Sequence, residues 1–211
     1  NDLNEANRML VNLPPGNARW QSATFLAQEF AKKSTDEAVA WAKQFPDDDP
    51  HLRETILGQI GAKLARQDLK GTASWVETMN ADSGNQRIID NLVTQWVSQS
   101  PQDASAWVAE LSNPDNRQYA MKQLAARWSL VDPVSTAEWL NDFPPSASLD
   151  PVVGEFVDRI SARDPEGAAG WALSIVEPEA RKKAIDKIMR TWKEIDPERS
   201  EAWIQENPQN P

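Results

Sequence analysis

Trp41, Trp75, Trp107, Trp139, Trp171 and Trp203 are separated by 34 residues and then by 32 four times. Trp96, Trp128 and Trp192 each fall 11 residues before a member of that set. So regular a spacing in so rare a residue means an internal repeat, which restricts the chain to folds made by stacking one small supersecondary unit. Seven places before each of the six stands Asp or Ser: Ser34, Asp68, Ser100, Asp132, Asp164 and Asp196. With that residue as position 1, the chain divides into repeats 2–33, 34–67, 68–99, 100–131, 132–163, 164–195 and a half-repeat 196–211. All are read as one domain, 1–211. The two extra residues of the second repeat fall in its FPDDDPH connection, where lengthening costs little closure entropy.

Position 1 is a helix N-cap by chemistry, because Asp and Ser oxygens accept from the unpaired amides of a first turn. Pro follows at 101, 133, 165 and 197, where its missing N–H does no harm. Glu5 and Glu37 supply the other half of a capping box. Apolar residues then recur at positions 5, 8, 9 and 12, as in Ala104, Trp107, Val108 and Leu111, the stripe of an amphipathic helix. Pro14, Pro46, Pro144 and Pro208 end it after about three turns. A second stripe runs through positions 22, 25 and 29, as in Met121, Leu124 and Trp128. Asp49-Pro50, Asn113-Pro114, Glu177-Pro178 and Asp150-Pro151 mark the start of that longer helix. First helices are expected to begin near 3, 35, 69, 101, 133, 165 and 197.

A helical hairpin alone leaves an apolar face uncovered, so neighbouring hairpins must stack. The expected fold is all-α, a right-handed superhelical α-solenoid of stacked helical hairpins with about thirteen helices. Small residues at positions 5 to 7, such as Ala104, Ser105 and Ala106, predict that the first helices form the closer layer. The segments KEIDPERSEAW (193–203) and SARDPEGAAGW (161–171) resemble the junctions of tetratricopeptide repeats. The period departs from that family, at 32 rather than about 34. Phe45, Met79, Leu111, Phe143 and Ile175 stand where the family has a Gly four residues after the Trp, and the first helix is shorter. The chain therefore resembles a divergent tetratricopeptide-like array, with HEAT-like repeats next closest. That resemblance implies a scaffold that binds a peptide or protein.

Composition removes much enzymology. There is no Cys, and His51 is the single histidine, which excludes thiolate and multi-histidine metal sites. A net charge of −10 repels nucleic acid and anionic membranes, and no apolar run approaches the roughly 18–20 residues of a membrane helix. No metal, cofactor, nucleic acid or membrane insertion is expected. Asp47, Asp48 and Asp49 beside His51 are consecutive and cannot all face one cation, so they read as a solvated loop. Asn80 to Gly84 lacks the closing Glu of a calcium loop and reads as a turn. Arg181, Lys182, Lys183, Lys187, Arg190 and Lys193 read as a solvated basic face. The acidic balance without cysteine fits a periplasmic or secreted protein, with the cytoplasm as the alternative. The missing initial Met and the final half-repeat read as a processed or trimmed piece.

Candidate binding residues recur at position 18: Arg19, Arg53, Arg117 and Arg181, with Asn85 and Leu149 in the other two repeats. A cation near the start of the second helix opposes the helix dipole, so something must compensate it. Either the guanidinium donates to carbonyls ending the preceding short helix or stacks on an indole, or the row grips a ligand's carboxylates. A second surface consists of polar rows on the second helices, Gln59, Asn91, Gln123 and Lys187 at position 24 and Lys63, Gln95, Arg127 and Arg159 at position 28. The tryptophans read as core, except Trp20, which lies off both stripes and is expected to be exposed. The leading function is a non-catalytic scaffold. The alternatives are an α/α toroid acting on a glycan through paired acids, which the seventh first helix disfavours, and a spacer within a longer chain.

Overall fold

The computed structural model describes residues 2–44, 49–79 and 83–208. Among them are thirteen α-helices and no strand. The first helices are α1 (Asp2–Val11), α3 (Thr35–Gln44), α5 (Leu69–Glu77), α7 (Pro101–Glu110), α9 (Pro133–Asn141), α11 (Pro165–Ala172) and α13 (Pro197–Glu206). The second helices are α2 (Asn17–Lys33), α4 (Pro50–Gln67), α6 (Ser83–Gln99), α8 (Pro114–Val131), α10 (Asp150–Ile160) and α12 (Pro178–Ile195). Each first helix starts within one residue of the position its cap predicts. Phe45, Asp47, Asp48 and residues 80–82 lie outside the described residues.

The junction between repeats turns on one residue. Ser34 Oγ accepts from the Glu37 amide at 3.1 Å, Asp68 Oδ1 from Gly71 at 2.8 Å and Ser100 Oγ from Asp103 at 3.3 Å. Asp132, Asp164 and Asp196 do the same for Ser135, Gly167 and Arg199, at 3.0, 2.8 and 3.0 Å. The same residues close the preceding helix: the amides of Asp68, Ser100, Asp132 and Asp196 donate to a carbonyl four residues back, each at 2.7 Å. A single residue thus ends one helix and begins the next, satisfying unpaired groups on both sides. The capping box is incomplete at Glu37, whose carboxylate pairs with Lys33 at 3.2 Å.

Across that tight junction, positions 29 and 8 meet, and this accounts for the 11-residue spacing. Phe30 stacks on Trp41 with centroids 5.2 Å apart, and Trp96–Trp107, Trp128–Trp139 and Trp192–Trp203 pair at 5.1, 5.9 and 6.4 Å. Such pairs add directional attraction to the area they remove from water. Trp41, Trp75, Trp107, Trp139 and Trp203 are all buried, and Trp20 is exposed as expected.

The chain forms two compact bodies, Asn1–Ala120 and Met121–Pro211, the division falling inside α8. In the first, α4 packs between α2 and α6, α1, α3 and α5 pack on their own second helices, and α7 packs on α6. Here the expectation about layers fails, because the second helices make the extensive contacts while α3 and α5 touch lightly. The cause is Gly61: a Cβ there would lie 2.8 Å from Ile88 Cγ1 and 3.1 Å from its Cα, so a bare backbone lets α6 settle against α4. In the second body α10 packs on α11 and α12, and α12 on α13.

Candidate partner-binding surface

The four position-18 arginines do not share one environment. Arg19, near the start of α2, is 1% exposed, so its guanidinium is withdrawn from the surface. Arg53 on α4 and Arg181 on α12 are half-buried, while Arg117 on α8 is exposed. Arg181 Nη1 donates to the Ile175 carbonyl at 3.1 Å, just beyond the end of α11. Asn85 and Leu149, the other residues of the row, are buried.

From the polar rows at positions 24 and 28, three side chains reach the preceding repeat. Asn91 Nδ2 donates to the Gly58 carbonyl at 3.2 Å, Lys63 Nζ to Gln28 at 3.4 Å, and Lys187 pairs with Asp158 at 2.8 Å. Arg127 bonds to Gln123 and Arg159 to Glu155 one turn back on their own helices.

Acidic groups are also engaged in holding backbone. Asp49 Oδ1 accepts from the Leu52 amide at 3.1 Å, and His51 beside it is exposed. Asp150, expected only to start a helix, reaches across to the connection before α12. Its two oxygens accept from Val176 and Glu177 at 2.8 and 2.9 Å. The Ser135 hydroxyl, and then its amide, hold the Asp132 carboxyl below the usual Asp range. Arg199 lowers Glu166 in the same sense through a fork of hydrogen bonds, and Glu166 raises Arg199 in return. Among the described residues no three His, Cys, Asp or Glu side chains gather as a metal site. On α12, Lys182, Lys183, Lys187, Arg190 and Lys193 are exposed.

A feature that the regularity of the repeats conceals lies in the second body. There α10 is the shortest second helix, 11 residues, and position 29 holds Ile160 instead of an aromatic ring. Trp171 and Phe156 meet edge to face with centroids 5.3 Å apart, and the indole of Trp171 is half-buried where most of its counterparts are buried. A cavity of about 250 Å³ opens there, with Val134, Phe156, Ile160 and Trp171 as apolar walls and Arg159 and Arg163 at its polar margin. The sequence shows part of it: position 29 is aliphatic only at Leu64 and Ile160, and of the two junctions only the one after Ile160 leaves its Trp half-buried.

The fold and surface define an all-α protein of helices packed on their neighbours, a pattern compatible with helical repeats. No family model matches the chain, and neither a curated protein nor a solved structure matches it significantly.

Proposed function

We propose that the protein is a non-catalytic scaffold, a tetratricopeptide-like array of hairpins that binds a peptide or protein partner. The observation that carries this reading is the cavity beside Trp171. It is concave and apolar, with an indole kept partly open to solvent and charged groups at its margin, the features of an anchoring point for a side chain. The junction chemistry supports it as well. Recurrent Asp residues are occupied by backbone amides, and Lys63, Asn91 and Lys187 by neighbouring hairpins, an arrangement that makes a rigid frame to present a pocket. The position-18 arginines belong to that frame in this reading, with Arg181 fastening the end of α11 to α12.

Selection of a displayed random-peptide library on the full chain tests the proposal. Recovery of peptides that bind saturably and release on competition is the expected result. A chain that captures no peptide but cleaves glycan polymers overturns it in favour of the hydrolase alternative.

A further inference from the structure

We infer that the cavity beside Trp171 is the anchor pocket for a peptide that presents one large aliphatic side chain next to a carboxylate. The inference rests on the scaffold reading and gives it a place and a ligand chemistry.

At four junctions a ring at position 29 covers the Trp of the next repeat. At the α10–α11 junction Ile160 brings no ring, and Trp171 stays half-buried beside the shortened α10, whereas Trp75 after Leu64 is fully buried. The space left over is part of the hairpin stack itself, walled by buried Phe156 and Ile160, and so keeps its shape without a ligand. At about 250 Å³ it lies below the roughly 300–1,000 Å³ of small-molecule sites, and suits a single side chain. Indole and phenyl walls favour an aliphatic group, whose burial removes apolar surface from water on both partners. Val134 at the entrance is 67% exposed and extends the apolar contact to the peptide backbone.

Charge selects the neighbouring residue. Arg159 already donates twice to Glu155, at 2.9 and 2.7 Å. Arg163, three residues past the end of α10, is exposed, and among the described residues no hydrogen bond or ion pair holds its guanidinium. Its amide bonds back to Ile160 at 2.9 Å, a tight turn that fixes it at the margin of the cavity. Asp164 also lines the cavity but is committed to capping α11 through the Gly167 amide. A planar guanidinium free at the edge of an apolar pocket matches a carboxylate in two-pronged fashion.

The experiment takes peptides selected on the full chain and measures their affinity by fluorescence anisotropy for wild type and two variants. Ile160→Trp restores the ring pairing of the other junctions and fills the cavity. It is expected to fold at least as stably and to weaken binding at least tenfold. Arg163→Glu changes an exposed residue, so folding is retained. It is expected to weaken acidic peptides at least tenfold and to be rescued when the peptide's acid is changed to Lys. Binding that survives Ile160→Trp overturns the pocket assignment while leaving the scaffold reading intact. Binding lost in Ile160→Trp but indifferent to Arg163→Glu overturns the carboxylate requirement. A library that yields no binder removes the scaffold reading, and the pocket falls with it.

Discussion

Replacing Asp150 by Ala should loosen a corner that lies 26 and 27 residues further along the chain. The carboxylate is 8% exposed and accepts two backbone amides, Val176 at 2.8 Å and Glu177 at 2.9 Å. Hydrogen bonds to a charged acceptor contribute about 1.5–3 kcal/mol each, net of the water they replace. Val176 and Glu177 carry exposed side chains, so water reaches their amides after truncation and the lower end applies. The expected loss is about 3 kcal/mol for Asp150→Ala. Asp150→Asn keeps one acceptor but turns an NH2 group toward the second amide, and should lose about half as much. Repeat arrays can open piecewise, so the assay must be local as well as global. Urea unfolding followed by Trp fluorescence gives the total. Hydrogen exchange gives the corner, where about 3 kcal/mol accelerates exchange at Val176 and Glu177 by roughly 150-fold. An Ala variant that unfolds like the wild type and leaves those two amides protected would refute the assignment of the corner to Asp150.

Gly61→Ala and Gly154→Ala should have opposite signs. Both gain about 1 kcal/mol of helix propensity, but the new Cβ at 61 meets Ile88 at 2.8 Å and should cost about 1–3 kcal/mol, whereas nothing lies within 4 Å at 154. Thermal melts of the pair decide it, and stabilisation at both sites would contradict the close approach of α4 and α6. Trp139→Ala, which removes a ring packed on both Trp128 and Phe143, should destabilise by about 3–5 kcal/mol in urea. Trp203→Ala, in the terminal helix, whose main packing partner is α12, should lose clearly less, and equal losses would count against nearest-neighbour stacking. Because the fold lowers the Asp132 carboxyl below its ordinary value, the stabilisation is complete above about pH 4 and is lost as pH falls through the lowered value. Asp132→Asn should flatten the acid limb of a stability–pH curve, and an unchanged limb would show that the cap's charge contributes nothing.

Helix boundaries were legible because a cap is a chemical mark at a fixed place: Asp or Ser followed by Pro or a first-turn acid has few other readings. The aromatic spacing is equally plain in the sequence, but that the rings at positions 29 and 8 meet follows only from the one-residue junction the fold shows. Long-range side-chain traffic was not legible. Asp150 looks like a helix start, and it is one, but nothing local says that its carboxylate leaves for Val176 and Glu177. The layer that packs closest was misjudged because small residues in the first helices are conspicuous, while Gly61 acts through one neighbour, Ile88, that only the fold supplies. The arginine row shows the same limit: one sequence position runs from 1% exposure in Arg19 to an exposed side chain in Arg117, according to what each local turn places over it.

The shared junction residue also governs how such a gene can change length. One codon inserted there would lengthen the one-residue connection, separate the cap that ends one helix from the cap that starts the next, and part the rings that meet across the seam. Duplication and recombination are therefore tolerated only when they keep the 32-residue frame or fall in the loop inside a hairpin. The 34-residue second repeat bears that mark, its two surplus residues sitting in the connection ahead of Pro50. A lineage built on this junction acquires or discards whole hairpins, and varies its offsets at their tips.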